Sequence, residues 1–258
     1  MTAPDDPRHA VPPTEDTAPE NAPEENPRTG TGRRSNRQRM PLWLDTLVTM
    51  VVALLIAVLV KTFLIQPFYI PSASMQPTLQ VDDKILVSKL SPGVFDLQRG
   101  DIVVFEDPGD WITGDVTADP TPRVRLMMIL SLVGLAPDPS QDHLVKRLIG
   151  LPGDHVVCEE KGAALQVNGE TIDEPYINPE TSACQVAFDV TVPDGKLWVM
   201  GDNRYASADS AWHEAQEGDG FVDESDVTGR AEVIFWPAAH WDRLNDGRES
   251  FADLPAAS

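Results

Sequence analysis

Two cysteines in 258 residues, with no CxxC pair or Cys/His cluster beside either, leave the chain without the ligand spacing of a metal site. Basic side chains are scarce as well: 20 Lys and Arg stand against 41 Asp and Glu, a formal charge of −21. Phosphate binding needs a basic face, so this balance argues against a nucleic-acid partner. No internal repeat is present, and a long uncharged apolar run occurs once. Nothing in the pattern calls for a metal or an organic cofactor.

Charge is unevenly spread. Residues 1–27 hold seven acidic side chains and only Arg8, whereas Arg28, Arg33, Arg34, Arg37 and Arg39 form a purely basic run. The remainder is strongly acidic, which reads as a solvated, self-repelling surface. Residues 1–40 are rich in Pro, Glu, Asp, Thr and Asn and nearly free of large apolar residues. Such a segment buries too little surface to offset its ordering entropy and is expected to be disordered.

Leu42 to Val60 follows, 19 residues in which Asp45 is the only charge. As a helix it spans roughly 28 Å, close to the ~30 Å hydrocarbon thickness of a bilayer. Asp45 falls at one headgroup level and Lys61 can snorkel at the other. The arginine run before this span places the N-terminus in the cytoplasm and the rest of the chain outside, in the plasma membrane. The residues after it, Lys61 to Phe68, are bulky and lack a small-x-small cleavage site, so residues 41–65 read as a retained anchor rather than a removed leader.

Beyond the anchor, short β-type runs alternate with Gly, Pro and Asp. Examples are Ile85-Leu86-Val87, Ile102-Val103-Val104-Phe105, His155-Val156-Val157, Leu165-Gln166-Val167 before an Asn168-Gly169 turn, Leu197-Trp198-Val199-Met200 and Ala231 to Trp236. This pattern predicts a mostly β domain over 66–245. Residues 107–143 read as an insertion whose apolar middle, Leu126 to Leu135, is too short to span a bilayer. Residues 246–258 read as a C-terminal tail. In an oxidising extracytoplasmic compartment Cys158 and Cys184 are candidates for a disulfide, two free buried thiols being the alternative.

Two segments carry chemistry. In Ile70-Pro71-Ser72-Ala73-Ser74-Met75-Gln76-Pro77-Thr78-Leu79, two prolines stiffen a turn that presents two hydroxyls and several amides. In His143-Leu144-Val145-Lys146-Arg147-Leu148-Ile149-Gly150-Leu151-Pro152-Gly153-Asp154, a lysine sits inside an apolar strand. In water, only about 1 in 2,000 lysine side chains is neutral at pH 7. Desolvation lowers the pKa, and a neutral lysine can take the proton of a serine hydroxyl.

Together these motifs resemble those of bacterial type I signal peptidases, whose nucleophile is the serine preceding methionine. The resemblance implies Ser74 as nucleophile and Lys146 as general base. Arg99-Gly100-Asp101-Ile102-Val103-Val104-Phe105 and Met200-Gly201-Asp202-Asn203-Arg204-Tyr205-Ala206-Ser207-Ala208-Asp209-Ser210 extend the match, which covers residues 62–106 and 143–236. It implies a signal-peptidase-like β domain on a single N-terminal transmembrane helix, monomeric, acting on the signal peptides of secretory preproteins. By position, Ser72 joins the Ser74 amide in an oxyanion hole. Ser207 orients Lys146, and Asp209 supports the site, with Arg147 as a candidate intermediary. Phe68, Ile70, Pro71, Met75, Leu79, Leu144 and Val145 fall where the family lines its shallow pockets for small −1 and −3 side chains. The family pattern often has arginine two residues after this aspartate; here Ala211 stands instead.

A Ser/His/Asp hydrolase is the first competing reading, with His143, His155, His213 and His240 as candidates, none in a recognisable triad motif. A self-cleaving repressor would share the Ser/Lys chemistry but lacks an anchor. A catalytically silent, membrane-tethered binding protein is the third. Only some ten residues separate the apolar span from Ser74, keeping the nucleophile within roughly 30 Å of the bilayer.

Overall fold

The computed structural model describes residues 41–109, 111 and 143–255. The expectations for the tail at 1–40 and for the apolar middle of the 107–143 insertion fall outside the described residues. Helix α1 runs over Leu42–Phe63, with Asp45 in its first turn and Lys61 in its last, each at the pole of the helix dipole that favours its charge. Among the described residues it is the one helix long and apolar enough to cross a membrane, and none of that span is buried by the rest of the chain. At about 1.5 Å per residue it matches the hydrocarbon thickness.

A single residue, Leu64, joins α1 to the first strand, and it is bonded on both sides: its N–H donates to Val60 O (2.8 Å) and its carbonyl accepts from Lys89 N (2.8 Å). The larger sheet comprises β1 (Ile65–Tyr69), β2 (Lys84–Ser88), β3 (Ile102–Glu106), β4 (His143–Gly150), β9 (Lys196–Met200), β10 (Val222–Asp223), β11 (Val227–Trp236) and β12 (Asp242–Arg243). Its strand order is β1-β2-β11-β3-β4-β9-β10, with β12 paired to β11. A four-stranded sheet holds β5 (His155–Cys158), β6 (Gln166–Val167), β7 (Glu170–Thr171) and β8 (Phe188–Thr191), in the order β7-β6-β5-β8. These strands pair antiparallel throughout. The mostly β expectation is met, because β-branched runs flanked by turn residues fit a pleated, half-buried surface.

Three apolar clusters fill the domain. Phe68, Ile70, Met75, Leu79, Ile85, Val87, Ile102, Val104, Ala231 and Ile234 pack under the segment that follows β1. Val103, Phe105, Leu148, Leu197, Val199 and Trp111 pack on a second face. The third surrounds Trp198 and the Cys158–Cys184 pair, which is disulfide-bonded as the compartment argument anticipated. Among the described residues one α-helix went unread in the sequence: α2, Ser210–Glu217, ended by Gly218 in the left-handed region (φ 76°).

Within the stretch read as a C-terminal tail, residues 246–255 are folded onto the domain. Asp246–Phe251 is a 3-10 helix with Gly247 and Phe251 buried. Phe251 and Leu254 belong to the Trp198 cluster, and Pro255 O accepts from Arg99 Nη1 (3.1 Å). Gly247 lies so close to Gly100 that a Cβ on Gly100 would stand 2.3 Å from Gly247 O, and Gly100 also has φ 89°. Two apolar side chains and a close glycine contact are enough to seat a segment whose composition is otherwise polar.

Fully buried Trp198 and exposed Trp241 (65%) should respond oppositely to truncation. Trp198→Ala is expected to cost about 3–5 kcal/mol and Trp241→Ala within about 0.5 kcal/mol, measured by denaturant unfolding of the detergent-solubilised full chain.

Candidate active site

The Ser74 segment is fixed from beneath and at its ends. Ile70, Met75 and Leu79 are buried in the cluster under β1 and β2, so the turn between them is pulled onto the sheet while Pro71 and Ser72 stay exposed. Its ends are tied by Ile70 N to Asp83 O and Asp82 N to Ile70 O, both 2.9 Å. Asn203 then staples the centre: its Nδ2 donates to Ala73 O and its N–H to Ser74 O, both 3.0 Å. Ser74 is buried, and Ser72 Oγ lies 3.2 Å from Ser74 Oγ.

Lys146 comes from the middle of β4, paired with Val103 of β3. It is only 3% exposed, and its Nζ lies 3.1 Å from Ser74 Oγ. Burial draws its pKa down to about 8, while the charges of Asp209 and then Asp202 pull it back up. At that value about one in ten is neutral at pH 7, against one in thousands for a solvated lysine. An amine that spends this much time unprotonated, at hydrogen-bond distance from a hydroxyl, can act as its general base.

Arg147, the next residue, is fully caged. Its Nε and Nη2 donate to the two oxygens of Asp202 (2.7 and 2.6 Å), Nη1 donates to Gly100 O (2.8 Å), and the Tyr176 ring centroid lies 3.9 Å from its Cζ. Thr78 adds a bond to Asp202 Oδ2 (2.5 Å). Gly247 closes the cage: a Cβ there would stand 1.9 Å from Arg147 Nη1. Burial disfavours the cation, but Asp202 holds its pKa above the ordinary value.

Residues 43–236 match the family described as signal peptidase, peptidase S26. The chain belongs to that family. It is 35% identical to a probable signal peptidase I of Mycobacterium leprae over 80% of each chain. It is 36% identical to a signal peptidase I of Mycobacterium tuberculosis over 75% of this chain and 72% of that one. It is also 36% identical to a probable signal peptidase I-2 of Synechocystis over 80% of this chain and 79% of the relative. Family membership and the single apolar helix ahead of the β domain together give a signal peptidase with single-pass membrane topology.

The supporting residues of this signal-peptidase family chain differ from the expected arrangement in two places. Ser207 Oγ is buried beside Gly201 and has no hydrogen-bond partner among the described residues, so it does not orient Lys146 here. A Cβ on Gly201 would stand 2.3 Å from that oxygen and 2.6 Å from Ser74 O, so glycine alone lets these backbones approach. Asp209 does not reach its site through Arg147, whose carboxylate partner is Asp202. It accepts instead from Gly201 N (2.9 Å). Ala211 is buried in the Trp198 cluster and supplies no charge there. Thr78, Asp202 and Asn203 lie within the quoted motifs without an expected role, and Tyr176 lies outside them.

Of the pocket candidates, Phe68, Ile70, Met75, Leu79 and Val145 gather in one cluster, with Phe68, Ile70, Met75 and Leu79 buried. Leu144 packs on a different cluster. Val145 and Leu144 remain part-exposed on either side of the chain leading into Lys146. The histidines are engaged elsewhere: His143 against Phe68, His155 with Asp189 (2.6 Å), His240 with Asp83 (2.9 Å), and His213 stacked on Trp111.

Because the folded pKa of Lys146 lies below its unfolded value of 10.5, the unfolded chain binds more protons between about pH 8 and 10.5. Stability therefore rises with pH through that window, and below it a cost of about 3 kcal/mol is fully present. Lys146→Met should raise stability at pH 7 by up to that amount and confer little gain by pH 10.5, measured by denaturant unfolding at several pH values.

Proposed function

We propose that the chain is a membrane-bound endopeptidase that removes N-terminal signal peptides from exported preproteins at Ala-x-Ala-type sites. The observation that carries this reading is the 3.1 Å approach of Lys146 Nζ to Ser74 Oγ inside a buried strand. Neutral Lys146 takes the Ser74 proton as Oγ attacks the scissile carbonyl carbon. The tetrahedral oxyanion is held by the Ser74 N–H and the Ser72 hydroxyl. As the C–N bond breaks, the Lys146 ammonium returns the proton to the departing amine, leaving an acyl-enzyme on Ser74. Lys146 then takes a proton from water, hydroxide attacks the ester, and Ser74 regains its hydrogen.

The same reading sets the topology. The basic run from Arg28 to Arg39 faces the cytoplasm, and the β domain lies outside, where the Cys158–Cys184 disulfide is stable. A preprotein held in the bilayer by its own signal presents its cleavage site near that surface. Selection of small −1 and −3 residues is assigned to the apolar cluster of Phe68, Ile70 and Val145 beside the Ser74 segment.

Purified full chain in detergent should cleave a preprotein with an Ala-x-Ala site. Ser74→Ala and Lys146→Ala should each lower kcat by at least about 10³-fold, and Ser72→Ala by about 10–10³-fold. The rate should climb with pH through about 8 as Lys146 loses its proton. Cleavage retained by Lys146→Ala would reject the mechanism.

A further inference from the structure

The Cys158–Cys184 disulfide closes a loop that meets Arg147 once and Arg204 twice. The two cysteines are 26 residues apart and both are buried in the Trp198 cluster. Within the loop, the Glu174 carboxylate forms a buried ion pair with Arg204, whose side chain is also almost wholly buried. Tyr176 donates its hydroxyl hydrogen to Glu174 Oε1 (2.7 Å) and lays its ring against the Arg147 guanidinium. Ala183, adjacent to the bridged Cys184, accepts from Arg204 Nη1 (2.5 Å).

These contacts fall on the two cations that stand beside the carboxylates acting on Lys146. Arg147 holds Asp202 in a two-bond fork. Arg204 donates from Nε to Gly201 O (3.0 Å), and Gly201 N donates to Asp209. Asp209 in turn favours the charged form of Arg204. With Ala211 offering no charge, Arg204 is the neighbouring cation that can balance Asp209. Displace either arginine, and an uncompensated carboxylate faces the buried amine.

Building on the Ser74/Lys146 reading, we infer that Glu174 and Tyr176 are positioning residues for the catalytic pair. They are delivered by the disulfide-closed loop and act by holding Arg204 beside Asp209 and Arg147 beside Asp202. Neither Glu174 nor Tyr176 bonds to Ser74 or Lys146; their side-chain hydrogen-bond partners are each other and Arg204. A purely structural role for the same buried pairs would be felt as stability alone.

The test uses the full chain in detergent, comparing wild type with Glu174→Gln, Tyr176→Leu and the Cys158→Ser/Cys184→Ser double variant. Two readouts are taken across pH 6–10: preprotein cleavage and acylation of Ser74 by a p-nitrophenyl ester, which releases p-nitrophenol as the acyl-enzyme forms. In each variant the acid limb of kcat/KM should move up by about one pH unit. Activity then falls about ten-fold at pH 7 and recovers toward wild type near pH 10. Arg204→Gln should move the limb the same way and Arg204→Lys should restore part of it. Reducing the wild-type disulfide should reproduce the shift, and reoxidation should reverse it. A loss equal at every pH that tracks a lowered Tm would overturn the inference, as would no loss at all. Should a variant fail to fold, Tyr176→Phe, which keeps the ring and removes only the bond to Glu174, still decides the matter through the same pH profile. If wild type acylates but cleaves no preprotein, the proposed function fails while the loop's effect is still read from acylation.

Discussion

An ammonium group that cannot find water governs the design of this domain. Lys146 sits on a central strand, and its amine is removed from solvent by the apolar faces of the sheet and by the Ser74 segment. Everything near it either keeps it dry or keeps its electrostatic surroundings balanced. Asp202 and Asp209 would by themselves stabilise the protonated form, and each stands beside an arginine. The protonation of Lys146 is therefore set by burial on one side and by two arginine-paired carboxylates on the other.

Buried arginines recur wherever two distant stretches of chain must be held together. Arg99 forks onto Asp154 with two bonds of 2.6 Å, tying the turn before β3 to the turn after β4. Arg147 joins β4 to the loop after β9, and Arg204 joins that loop to the disulfide-closed segment. Each guanidinium meets its carboxylate and also donates to at least one backbone carbonyl. That is the condition under which burying such a charge is tolerated. Asn203, uncharged, completes the set by clamping the Ser74 backbone.

Much of this was legible in the sequence, for reasons that differ by element. The anchor announced itself by length and lack of charge, and the strands by β-branched runs between turn residues such as Asn168 (φ 54°) and Gly169 (φ 83°). Ser74 and Lys146 were each bland alone, a serine in a turn and a lysine in a strand, and stood out only because their two motifs together resemble those of type I signal peptidases. Their supporting contacts could not be read the same way. The partner of Arg147 lies 55 residues away at Asp202, and nothing local distinguishes it from Asp209. Helix α2 is too short and too mixed in character, Ser-Ala-Trp-His-Glu-Ala-Gln-Glu, to show a period. The segment after residue 245 looked like a tail because its role depends on a glycine fitting into a gap, which composition does not record.

That glycine has a consequence for when the molecule becomes what it is. The walls around Arg147 come from Thr78, Gly100, Tyr176, Asp202 and Gly247, so the cage has its last side only once residue 247 has been synthesised and delivered. A chain still emerging from the ribosome holds Ser74 and Lys146 long before it holds their final support. The seat of Arg147 is thus completed from a stretch 100 residues further along the chain, not by its neighbours in sequence.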